Sequence, residues 1–495
     1  MFPRSILTGL LAAAIVSQTT DGRGRDAVLD QLNATASVKG TQEAKAWQGF
    51  FDACLEMTNP PAPLGNSFNM NTVWPGMPTW SAVDAWAEEN EHMEFAVLEA
   101  AQRVVIGLPY GAEHVPANFR AAGIVADVGA DGQLHRLHFG YIDTVRVESA
   151  WATAYAYRLL EAGETLRALR LSIAQLVVLR KFCDREFLEE KLAFMSMLSD
   201  GLENMRDMFY SYRDKISVNQ FRTLASDEIP FLRADATHLL MPEGDRVVAL
   251  ALIGELFDSN GSPDTAKFRE ILTDIQAERE PLTRFGAARY WEEISYIHDG
   301  DGTSRDRLNL IYDDWWRRWR MRAYHPMLEA DTELQRANVV RHGAVILAIR
   351  DIQELFLQRD VLETEINGTA IAAALCGYRN HFGVFPASPK KTYAQFIGRL
   401  MNADRFRPLT LRSDGDWVTY DREVEEFHYR RLTSRTAIDT PMGRAEISAD
   451  ECLLYSVGGD HENNGGTDHT GIVAGGDFVI WPPVKSLERA AGLVD

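Results

Sequence analysis

Apolar residues recur at steps of three and four over most of this chain, and take a shorter period only near its end. From about Leu134 to Leu357 the helical spacing is strongest. In ETLRALRLSIAQLVVLRKF, Leu166, Leu169, Ile173 and Leu176, with Val177 or Leu179, form one stripe, with Arg and Gln opposite it. Stripes of this kind must be buried against one another. The segments EAGE, LSDGLEN, MPEGD and FDSNGSPDT read as turns between helices, and Ser262 before Pro263 and Asp264 reads as a helix start. Upstream, Ser81 is a plausible N-cap for SAVDAWAEENEHMEFAVLEAAQRV, which lies between two loop-like stretches. The pattern predicts an antiparallel array of helical hairpins over residues 41–362, without a repeat of fixed period.

Composition shifts after Glu363. ETEINGTAIAAALCGYRNHFGVFPASP predicts one helix that ends at Phe382 and Gly383. DWVTYD, EFHYRRL, ECLLYSVG and DFVIWPP then follow as short segments rich in Val, Tyr, Phe and Trp, bounded by Gly, Asp or Pro. The expected fold class is therefore mainly α, a helical-hairpin array followed by a small C-terminal α+β domain at 363–485 and a tail at 486–495.

The N-terminus adds a location. Arg4 precedes SILTGLLAAAIVS, an apolar run shorter than a spanning helix, and polar residues follow it. Residues 1–20 are expected to be a signal peptide or an N-terminal anchor, and residues 21–40 a polar linker, which makes the protein exported or periplasmic. The 71 acidic and 51 basic residues give a formal charge of -20. That charge argues against nucleic acid as a partner and against membrane contact beyond such an anchor. Cys54, Cys183, Cys376 and Cys452 are far apart and form no CxxC, so each is expected to be a small apolar filler, with spatial pairing left open.

Chemistry concentrates in the loop GGDHENNGGTDHTGIVAGGD. Asp460, Asn463, Asn464, Asp468 and Asp477, with Glu462 and backbone carbonyls, could supply the six to eight oxygens that Ca²⁺ requires. The same residue types also build any tight turn, and His461 with His469 leaves a transition-metal site open. HDGDGTSRD starts like an EF-hand with Asp299 and Asp301, but Leu310 stands where a closing Glu belongs, so it reads as an interhelical turn. In HRLHF, His135 and His138 fit no metalloprotease pattern and read as surface positions. In YDDWWRRWRMRAYHP the Trp residues are expected to anchor a helix in the core, with the Arg stems covering apolar surface. No nucleophile elbow, P-loop, dinucleotide fingerprint or kinase set occurs, and the pairs Glu189–Glu190 and Glu292–Glu293 read as solvated helix faces.

Tyr378, Arg379, Gly383, Phe385 and Pro386, followed by Tyr455, Ser456, Gly458, Asp460, Gly465, Gly466 and Asp477, carry a resemblance. This quarter of the chain resembles the globular part of the major pseudopilin of type II secretion, in which a helix runs into a Tyr/Phe-Pro turn and a later strand leads into a calcium-binding glycine-rich loop. Together with ENEHMEFAVLEAAQRVVIGLPYG and SIAQLVVLRKFCDREFLEEKL, the chain looks like a group of planctomycete-type exported proteins with helical bodies and such a C-terminal domain. The group usually has Asp-Gly and then two acidic residues where this chain has Asp460-His461 and Asn463-Asn464, which removes negative charge. No apolar helix stands directly before Glu363, so the resemblance does not extend to pilus assembly. It implies a non-catalytic binding or structural protein of the cell envelope, partnered with another envelope protein and stabilised by calcium at this loop. The alternative is a hydrolase whose active site is assembled from the helical domain.

Overall fold

The computed structural model describes residues 24–61, 69–232, 239–279, 284–321, 326–328, 330–392, 427–458, 463–469 and 476–494. Residues 1–20, expected to be a signal peptide or an anchor, therefore lie outside the described residues. The N-terminal part is built from α1 (Gly24–Asn33), α2 (Trp47–Glu56), α3 (Trp80–Glu89), α4 (Met93–Gln102) and α5 (Ala117–Ala121), followed by a two-stranded ribbon of β1 (Asp127–Val128) and β2 (Leu137–His138). Residues 21–40, expected to be a linker, contain α1. Its Val28, Leu29 and Leu32 make one short buried stripe, too brief to stand out among polar neighbours.

The centre follows the helical period. α6 (Tyr141–Glu161), α7 (Thr165–Phe182) and α8 (Leu188–Tyr212) pack in sequence through short turns. LSDGLEN does not turn the chain: it lies inside α8. A Cβ on Gly201 would stand 2.6 Å from Leu176 Cδ2, so this glycine admits a neighbouring helix at close range instead of breaking its own. Next come α9 (Val218–Thr223), α10 (Gly244–Leu256), α11 (Thr265–Lys267), α12 (Thr273–Arg279), α13 (Arg284–Ser295), α14 (Asp301–Arg320) and α15 (Gly343–Ala348). The start expected at Ser262 is capped by Asp264, whose Oδ1 accepts the amides of Ala266 and Lys267 at 3.0 and 3.3 Å. In α14, Tyr312, Trp315 and Trp319 are buried and Arg318 pairs with Asp314 at 2.9 Å, as the aromatic and basic pattern predicts. Asp299 and Asp301 lie at the turn that starts α14.

α16 (Gln353–Phe382) is the axis of the molecule. Every residue from Leu362 to Gly377 is buried, as in a helix that is packed all round. It spans the expected boundary at 363, lies against α8 and α9, and also receives the C-terminal sheet. It ends where predicted, with Gly383 in the left-handed conformation (φ 76°) and its amide on the Arg379 carbonyl at 2.7 Å.

After it, β3 (His428–Arg431), β4 (Thr436–Thr440), β5 (Gly443–Ile447), β6 (Cys452–Ser456) and β7 (Phe478–Trp481) form an antiparallel sheet β3-β6-β7 and a separate hairpin β4-β5. β6 is buried along its whole length because both of its faces are covered. Cys452 and Leu454 join the main core beside α16. Leu453 and Tyr455 join a second cluster with Ile438, Ala445 and Ile447 of the hairpin and with Val484 and Leu487 of α17 (Val484–Ala490). The main core thus runs without a break from α1 to β7. All four cysteines are buried and free.

Candidate functional site

The site is assembled at the corner between α7 and α8. Arg185 and Glu190 are both buried and meet at 2.9 Å. Glu190 also accepts the hydroxyls of Tyr110 and Tyr141 at 2.7 and 2.6 Å and the Phe187 amide at 3.2 Å. Arg185 reaches the Leu108 carbonyl at 2.5 Å and lies 4.0 Å from the centroid of the Tyr110 ring. Burial, above all, pushes both tyrosine hydroxyls well above their ordinary pKa, so they remain donors to the carboxylate. Glu189 stays exposed, as expected. Glu190, expected on the same solvated face, is the centre of a buried network, because a rotation of about 100° per residue carries it from surface to core.

That corner fixes the start of α10. The Gly244 amide donates to the Glu186 carbonyl at 2.9 Å. A Cβ at this position would stand 2.9 Å from the Phe187 ring and 3.0 Å from the same carbonyl, so only glycine allows the approach. The next residue, Asp245, accepts the Leu188 amide at 2.8 Å and so satisfies one of the unpaired donors at the N-terminus of α8. Burial pushes its carboxyl up to about 6, only partly opposed by that amide and by Arg350.

Asp245 lies in the wall of a cleft of about 670 Å³. α10 contributes Val248 and Leu252, α12 contributes Ile275, α15 contributes Ile346 and Leu347, and His135, Gln335 and Arg350 supply polar groups. This volume suits a small ligand, and so does a lining that is chiefly aliphatic with a few convergent polar groups. Arg350 is already paired with Glu189 at 3.2 Å. In the sequence His135 reads as a surface position and Asp245 as a turn residue of MPEGD. Its position in the first turn of a strongly apolar helix was the one available signal.

Of the five residues expected to bind calcium, Asp460 lies outside the described residues, together with His461 and Glu462. The other four lie in the β6–β7 connection, and two of them brace its turn. Asn463 Oδ1 accepts the Gly465 amide at 2.9 Å and the Tyr455 hydroxyl at 3.0 Å, and Asp477 Oδ2 accepts the Gly466 amide at 2.5 Å, around two glycines with φ of 75° and 70°. Asn464 accepts the Thr467 hydroxyl through its backbone carbonyl at 2.9 Å. Asp468 forms a bridge to Asp439 of β4, and its Oδ1 is buried with no hydrogen-bond partner among the described residues. His469 Nδ1 is occupied, 3.1 Å from the Val479 amide and 3.2 Å from the Asp477 carbonyl. Among the described residues no group of three His, Cys, Asp or Glu side chains is placed to hold a metal ion. The described part of the loop is a turn, and it does not by itself make a calcium cage.

No protein family, no curated protein and no solved structure matches this chain. Among the described residues no helix is long and apolar enough to cross a membrane.

Proposed function

We propose that this chain is an exported, non-catalytic binding protein of the cell envelope that takes its ligand in the cleft between α10, α12 and α15. The observation that carries this reading is the cleft itself, about 670 Å³ of mainly aliphatic wall with Asp245 set into it. The proposal includes a pseudopilin-like C-terminal unit that presents the body to another envelope protein. The order of a helix closed by Gly383, then β3, β6 and β7, supports that resemblance. Calcium at the β6–β7 connection belongs to the same proposal and depends on Asp460 and its neighbours.

Nile red titration tests the cleft. The dye should gain emission with wild-type protein, and Ala348→Trp, which places an indole among the lining residues, should abolish the gain. Unchanged emission in the variant overturns the reading. For export, mass spectrometry should find the mature protein without its first residues, and an intact Met1 in a cytosolic fraction would refute it. The place of Asp245 in the cleft wall also fits a hydrolase, since burial there pushes its carboxyl up to about 6, in the range useful for proton transfer. Turnover of an ester or amide that disappears in Asp245→Asn would replace the binding reading.

A further inference from the structure

We propose that the ligand of this cleft is an organic cation, a protonated amine on an aliphatic body, with Asp245 as its counter-charge. The inference rests on the binding reading above and adds the ligand class.

Asp245 is nine-tenths buried, and its single hydrogen bond from another described residue is the Leu188 amide on Oδ2. No basic side chain lies within salt-bridge distance of it among the described residues. Arg350, the cation on the same wall, is exposed and already engaged by Glu189 at 3.2 Å. A second carboxylate, Asp351, also lines the cleft, so the lining carries two acidic groups against one committed guanidinium. A buried carboxylate without a cation gains most from a ligand that brings one, because the pair forms where water is already excluded. An anionic ligand would meet Asp245 and Asp351 and would have to compete with Glu189 for Arg350. The aliphatic wall of Val248, Leu252, Ile275 and Leu347 then selects an amine with an apolar body over a small inorganic cation.

Competition against bound Nile red by hexylammonium, hexanol and hexanoate, three probes with the same body and different heads, tests this. Hexylammonium should displace the dye at a concentration roughly tenfold lower than hexanol, with hexanoate the weakest. Asp245→Asn keeps an acceptor for the Leu188 amide and should bring hexylammonium and hexanol within about twofold of each other while dye binding persists. Arg350→Gln should widen the preference for the amine. Hexanoate binding best, or an amine preference intact in Asp245→Asn, overturns the ligand class and leaves the cleft as a binding site. Failure of the dye to bind the wild-type protein overturns both.

Discussion

Arg489 donates through Nη1 to Asp207 Oδ2 at 2.6 Å, and this contact fastens α17 to α8 across 282 positions of sequence. Asp207 is buried and also accepts the hydroxyls of Tyr157 and Ser486, while the Arg489 guanidinium lies 4.5 Å from the centroid of a Trp74 ring. Lys485, one turn earlier, donates to Asn71 and Asn204 at 2.8 and 2.9 Å. α17 in turn packs on β5 and β7, and its Val484 and Leu487 share a small core with Leu453 and Tyr455 of β6. Removing the carboxylate strands a half-buried guanidinium and two hydroxyls. Asp207→Ala should therefore cost about 3–5 kcal/mol in urea unfolding, whereas the exposed pair Arg289–Glu293 should give less than about 1 kcal/mol when broken. Equal losses at the two sites would show that the clamp does not hold the sheet.

The contact of α16 with β7 makes a second prediction. A Cβ on Gly368 would lie 2.8 Å from Cγ1, Cγ2 and Cδ1 of Ile480. Gly→Ala within a helix normally gains about 1 kcal/mol, but overpacking a filled core costs about 1–3 kcal/mol. Gly368→Ala should lower the unfolding midpoint, and Ile480→Ala in the same chain should be less damaging than the two single losses together. Strict additivity would mean that the helix and strand do not meet as described.

What could be read from the sequence was set by local rules. The αL stop at Gly383, strands β3, β6 and β7, and the burial of Trp315 and Trp319 follow from turn chemistry and periodicity that a short window contains. The hairpin β4-β5 does not stand out in the sequence because Asp439, Arg444 and Glu446 mask the alternation of Ile438, Ala445 and Ile447. Glu190 and Asp245 were out of reach for a different reason. Tyr110 and Tyr141, which bury Glu190, lie 80 and 49 residues away, and the amide that holds Asp245 lies 57 residues before it. Burial of a charge is decided by partners that no local pattern names. Gly201 shows the converse, since a residue read as a turn serves the packing of α8 on α7.

Calcium is best tested on the full chain, because β6 and β7 share the core of α16 and a fragment from 363 onward would expose that face. If the β6–β7 connection binds the ion, millimolar Ca²⁺ should raise the thermal midpoint relative to chelator, since a ligand specific to the folded state stabilises it. Asp468→Asn should reduce the rise, as its buried Oδ1 is a candidate ligand atom. Equal midpoints with and without the ion would leave the connection as the turn that Asn463 and Asp477 already brace.

Glu148 makes the pH prediction. It is buried on α6, with Oε2 accepting Gln175 Nε2 at 2.8 Å and Oε1 without a partner among the described residues. Burial pushes its carboxyl from 4.5 up to about 8, opposed only by Gln175 and Ser149. The folded state therefore holds a proton that the unfolded chain releases. The corresponding stability is complete below about 4.5 and is lost as pH rises toward 8, at up to about 1.4 kcal/mol per pH unit. Gln at this position cannot titrate. Whatever its fixed offset, the urea midpoint of Glu148→Gln should gain on the wild type between pH 5 and pH 8. Parallel midpoints across that range would mean that water or a cation reaches the carboxylate, and that the α6–α7 interface is open where it is described as closed.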